Sequence, residues 1–216
     1  MIWQALFEDR REAGRRLAER LLVYRHNAIV LAIPRGGIPI GYEVARRLGV
    51  PLDLIVPRKL PIPSDPEAGF GAVAPDGTVV LNEMLVALLG LSTEEIERIV
   101  EEVLREVRRR IREYRGDRPF PDLSGKNVIV VDDGLASGYT MIAAVRAIKK
   151  VRPRRVIVAV PCSPRTSVER LEKEADEVVC LAVQPSGPFA VASYYEHFPD
   201  LSDEEVKNLL SQAHAA

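Results

Sequence analysis

Cysteine, histidine and tryptophan are scarce in this chain. Its 216 residues include two cysteines, three histidines and one tryptophan. Cys162 and Cys180 share no metal-ligand spacing, and each sits in an apolar, strand-like run. Two buried thiols in a reducing compartment are expected, rather than a zinc site or a disulfide framework. The histidines show neither ligand nor triad spacing. No apolar run approaches the roughly 20 residues that a membrane span needs, and no secretory leader is recognised. A cytoplasmic protein without a membrane partner is therefore expected. An excess of one charge is missing too: 30 basic residues face 31 acidic ones, for a net charge of −1. A nucleic-acid partner would normally call for a basic face or tail. Basic residues do cluster over 105–118, but acidic residues interleave with them, as on a solvated helix face.

What is present suits a packed α/β protein. Apolar residues make up 47% of the chain and charged residues 28%, enough for a real core under an ordinary surface. Residues 8–25 carry Ala13, Leu17, Leu21 and Leu22 at helical spacing. The run 28–33 is continuously apolar, as in a strand buried on both faces. It ends at Pro34-Arg35-Gly36-Gly37, and a helix is expected over 40–48, followed by a strand at 52–56. Residues 57–71, rich in Pro, Ser, Asp and Gly, lack an apolar period and read as a mobile loop. Asp76-Gly77 between two β-favouring runs predicts a hairpin over 71–82. Ser92 with Glu95 forms a capping-box pattern at the start of a long helix to about Tyr114. Strands at 127–131, 155–160 and 177–183 then alternate with helices at 138–150 and 165–174. Such alternation predicts an open parallel sheet with helices on both faces. The whole of 1–216 reads as a single domain, and 57–120 as an insertion (flexible loop, hairpin and long helix) over the active-site edge.

The chemistry is concentrated at Val128–Thr140. Four β-branched residues form a strand that delivers Asp132 and Asp133 together at its carboxyl end, where open parallel sheets bind ligands. Gly134 to Ser137 are small or hydroxylic and let the backbone approach an anion. Gly138 and Thr140 open a helix whose first N–H groups, with the dipole, make a phosphate cradle. Ribose 5-phosphate pairs vicinal hydroxyls with a phosphate and fits this arrangement. Two carboxylates, acceptors only, suit two sugar hydroxyls or a hydrated magnesium ion.

All thirteen positions of this segment resemble the phosphoribosyl-diphosphate (PRPP) signature of type I phosphoribosyltransferases. The resemblance implies that fold, with Asp132 and Asp133 on the ribose hydroxyls and Ala136, Ser137, Gly138, Tyr139 and Thr140 around the 5-phosphate. It implies a pyrophosphate loop after the first core strand, often with a non-proline cis peptide; Arg35, Gly36 and Gly37 stand there. Arg58 and Lys59 resemble the basic residues that meet pyrophosphate before the family's flexible loop. Here that loop departs from the pattern, carrying Asp65 and Glu67 instead of further basic residues. Magnesium is implied with PRPP, held mainly by the diphosphate with Asp132 or Asp133 reaching it through water.

The implied reaction is transfer of phosphoribosyl to a nitrogenous acceptor, a nucleobase in the first instance, with release of pyrophosphate. Phe70, Phe189, Tyr194, Tyr195 and Phe198 offer rings for an acceptor hood, or for packing. The rival reading is a non-catalytic PRPP-binding regulator. The long helix offers a homodimer interface, an arrangement common in this fold.

Overall fold

The computed structural model describes residues 5–215. The first apolar run forms β1 (Ile29–Ala32), all four residues buried. It pairs in parallel with β2 (Leu52–Leu54) on one side and with β6 (Asn127–Val131) on the other. Beyond β6, β7 (Arg155–Pro164) and β8 (Glu177–Gln184) complete the parallel sheet, in the order β2-β1-β6-β7-β8. Burial on both faces explains why β1 and the inner residues of β6 and β7 are continuously apolar, whereas the edge strand β2 alternates at Asp53 and β8 is only partly buried.

Side chains of β1 and β6 divide between two cores by strand parity. Val30, Ala32, Ile129 and Val131 pack with helices α1 (Arg10–Arg20), α2 (Gly37–Leu48) and α7 (Asp203–Ala215). Ile29, Leu31, Val128 and Val130 pack with α5 (Tyr139–Lys149) and with Leu171 of α6 (Arg165–Leu171). The fold is thus α/β, an open parallel sheet with helices on both faces, as the alternation predicts. Strand order reverses between β1 and β6. In doubly wound sheets the crevice outside the carboxyl ends of two such strands is the ligand site.

Between β2 and β6 lie three antiparallel strands, β3 (Arg58–Ile62), β4 (Asp65–Val73) and β5 (Val79–Leu81), then α3 (Glu83–Leu89) and α4 (Thr93–Arg115). The expected hairpin is β4-β5, with Gly77 at φ +87° in its turn. The expected capping box is present: Ser92 Oγ accepts from Glu95 N, and Glu95 reaches back to Ser92 N.

One expectation fails. Residues 57–71 were predicted to be a loop, yet 58–62 and most of the rest pair as strands. Leu60 and Ile62 alternate into a core with Phe70, Val73 and Ile99, a two-residue period hidden by the intervening Pro61. Register shifts at Pro61 accommodate the proline. The helix α7 carries no strong signal in the sequence; Val206, Leu209 and Leu210 anchor it on the core. Among the described residues no helix is long and apolar enough to cross a membrane.

Candidate functional site

The turn after β1 and the turn after β6 meet at the point where strand order reverses. Gly37 N donates to Ile33 O, closing the first turn, and the Pro34–Arg35 peptide bond is cis. A β-carbon on Gly37 would lie 2.8 Å from Val131 O and 3.0 Å from Asp132 Cα. Here glycine is needed for close approach of two backbones. Its neighbour Gly36 stands as tightly against the Asp133 carboxylate.

The two carboxylates are not equivalent. Arg10 Nε donates to Asp133 Oδ2 at 2.8 Å, and both side chains are largely buried. Burial drives Asp132 well above the ordinary carboxylate range, and the adjacent Asp133 charge adds to it. Burial raises Asp133 as well, but the Arg10 guanidinium opposes that shift. With its own cation, Asp133 is the member that ionises first.

From Asp132 the chain runs through the small-residue turn to Gly138, at φ +80°, and into α5. No side chain caps this helix start, so its leading N–H groups keep their donors for a ligand. The turn is braced from behind by α6. Ser167 Oγ donates to Ala136 O at 2.6 Å, and Arg170 donates to Ser137 O at 3.0 Å.

A cavity of about 290 Å³ opens above the turn, lined by Asp132, all of 134–141 and, from the hairpin, Lys59, Gly69 and Gly71. The structure therefore gathers Asp132, Ala136, Ser137, Gly138, Tyr139, Thr140 and Lys59 around one space. Asp133, Gly36 and Gly37 do not line it; Gly37 packs against Asp132, which does, and Gly36 against Asp133. Arg58 faces elsewhere, because neighbouring residues of a strand point to opposite sides. Burial lowers its pKa, and the nearby Arg110 charge of α4 lowers it further. Arg35 pairs with Asp203 of α7 at 3.8 Å, and Asp203 also accepts a very short hydrogen bond from Tyr114.

The aromatic residues separate as well. Phe70 is fully buried in the hairpin core. Tyr195 is buried, and its hydroxyl donates to Asp133 O at 2.6 Å. Arg10, Ser167 and Asp203 escape sequence reasoning as site residues, and Tyr195, expected only as a ring for a hood or for packing, reaches the site through its hydroxyl. Nothing in its surroundings distinguishes Arg10 from the other arginines of α1, and the rest reach the site only through folding.

Fold and site together define a class: a doubly wound α/β protein with an acidic pair and an uncapped helix start at its switch point. The profile of the phosphoribosyl transferase domain family matches residues 3–196, and the chain belongs to that family. Two Mycobacterium tuberculosis proteins, each named "Putative phosphoribosyl transferase", are 42% identical over 210 residues. That alignment covers 97% of this chain but 47% of theirs, so the chain spans about half the length of these relatives. The crystal structure of TT1426 from Thermus thermophilus is similar throughout, with 42% identity and a TM-score of 0.78. It covers 95% of this chain and 98% of that one.

Proposed function

We propose that this protein transfers the 5-phosphoribosyl group of PRPP to a nitrogenous acceptor, a nucleobase in the first instance, releasing pyrophosphate. The observation that carries the reading is the junction of the Gly36–Gly37 turn with Asp132–Asp133, beside the uncapped start of α5. One edge of the sheet then offers a close-approach turn, hydroxyl acceptors and a phosphate cradle in sequence.

In the proposed step the C1–O bond breaks and its electron pair leaves with pyrophosphate. The acceptor nitrogen supplies the pair for the new C1–N bond and releases its proton. Asp133, whose charged form Arg10 favours against the cost of burial, accepts a hydrogen bond from a sugar hydroxyl and places negative charge near the cationic sugar. Asp132 takes the neighbouring hydroxyl. The 136–140 backbone and the Ser137 and Thr140 hydroxyls hold the 5-phosphate. Gly36 and Gly37 let the diphosphate approach the backbone, while Arg35 and Lys59 supply positive charge, with Arg58 more distant. Catalysis in this scheme is positioning and electrostatics rather than covalent chemistry.

The donor set suits magnesium arriving with the diphosphate. Carboxylate oxygens are the hard ligands it prefers, and it characteristically keeps waters and uses one or two carboxylates with substrate phosphates. Among the described residues no group of three or more acidic, histidine or cysteine side chains could cage it alone. Asp132 or Asp133 would reach such an ion through water, and when bound it would neutralise leaving-group charge.

The test is magnesium-dependent pyrophosphate release from PRPP against a panel of purines, pyrimidines and other nitrogen acceptors. Release with one acceptor establishes the transferase and names its substrate. PRPP binding without release across the panel would favour a regulator, and no PRPP binding at all would sink the proposal.

A further inference from the structure

We infer that Arg10 is a positioning residue for the ribose-facing carboxylate: clamped by the Phe198–Pro199 segment, it fixes Asp133 in the orientation that receives the sugar hydroxyls. This rests on the phosphoribosyl reading above. Arg10 opens α1, far from the site in sequence, yet it is only 8% exposed. Its Nε donates to Asp133 Oδ2 at 2.8 Å and a terminal nitrogen donates to Pro199 O at 2.7 Å. The guanidinium carbon also lies 3.7 Å from the centre of the Phe198 ring.

The contacts close on themselves. Phe198 stacks on Tyr195 with ring centres 4.9 Å apart, and the Tyr195 hydroxyl donates to the backbone oxygen of Asp133. Asp133 is thus held at its carboxylate through Phe198 and Arg10, and at its main chain through Tyr195. Oδ2 also fills the space that a β-carbon on Gly36 would take, so the carboxylate is packed directly against that turn. A planar guanidinium with several fixed donors and a stacking face can make all these contacts at once, whereas an ammonium cannot. A largely buried ion pair is a poor way to gain stability, because apolar residues of like volume serve as well. Its place on the dyad therefore argues for orientation.

The test uses the full chain and three probes: PRPP, ribose 5-phosphate and inorganic pyrophosphate. Arg10→Met should weaken PRPP and ribose 5-phosphate by about tenfold or more, the scale of one charge-assisted hydrogen bond. Pyrophosphate, probed without magnesium so that it draws on the Gly36–Gly37 turn and not on Asp133, should keep its affinity. Arg10→Lys should restore only part of the loss. Arg10→Met strands a buried carboxylate and can fail to fold, so the double variant Arg10→Met with Asp133→Asn keeps the idea testable. If Arg10 acts through Asp133, the double variant binds PRPP no more weakly than Asp133→Asn alone. Unchanged PRPP affinity in Arg10→Met, equal losses for all three probes, or additive losses in the double variant would overturn the inference while leaving the phosphoribosyl reading intact. A wild-type chain that binds no PRPP would overturn both.

Discussion

Gly36 and Asp133 are packed so closely that a β-carbon on Gly36 would lie 1.9 Å from Asp133 Oδ2. Contact at that distance cannot be absorbed by a small shift, since Arg10 holds the same oxygen by a hydrogen bond of 2.8 Å. Gly36→Ala must therefore displace the carboxylate or the turn. We expect a loss of about 1–3 kcal/mol in stability, the usual cost of overpacking, together with weaker binding of PRPP and of pyrophosphate. Denaturant unfolding and calorimetric titration of each ligand measure the two effects separately. A variant with wild-type stability and affinity would mean that the two turns separate readily.

Asp133→Asn keeps the shape of the side chain but removes the charge that Arg10 pairs with and that, in the proposed function, a sugar hydroxyl would meet. Turnover should fall about tenfold or more, corresponding to a charged hydrogen bond of about 1.5–3 kcal/mol. Steady-state pyrophosphate release reads the change. Unaltered turnover and PRPP affinity would remove this carboxylate from the site.

Ser167 does not line the cavity, yet its hydroxyl is buried and braces Ala136 O in the turn before α5. Ser167→Ala should cost about 1 kcal/mol of stability and weaken ribose 5-phosphate severalfold, with pyrophosphate binding retained. Isothermal titration of the two ligands makes the comparison, and equal affinities in variant and wild type would show that the turn stands without its brace.

Tyr114 ties α4 to α7 by donating to Asp203, the residue that also faces Arg35. Burial pushes Tyr114 up to about 12 from 10, and the Asp203 carboxylate adds to the shift. A folded-state value above the unfolded one gives a contribution fully present below pH 10 and lost as pH rises through about 12. Tyr114→Phe should therefore lower the melting temperature at pH 7 and lose less than wild type between pH 9 and 11. Parallel melting curves across that alkaline range would show that the hydroxyl contributes nothing.

Most of the parallel sheet was legible in the sequence for a local reason. Strands buried on both faces are apolar along their inner length, and the runs at 28–33, 128–131 and 156–160 satisfy that without reference to partners. Val128–Thr140 was legible too, because strand, paired carboxylates, small-residue turn and helix start are adjacent in the chain. The β3-β4 hairpin was not, since its prolines and glycines imitate a loop and only pairing with Gly69 and Gly71 reveals the period. The helix α7 likewise shows its apolar anchors only once α2 and β2 give them something to pack on.

By itself the sequence determined the α/β class, the acidic pair and the small-residue turn into α5, all properties of contiguous residues whose backbone and side-chain chemistry act locally. Tertiary structure alone decided which distant side chains meet them. Arg10, chosen from an arginine-rich helix, comes to rest on Asp133, 123 positions away. Lys59 faces the cavity while Arg58 turns to α4. Such choices depend on helix rotation, strand parity and the order in which strands stack, and no short stretch of sequence carries them.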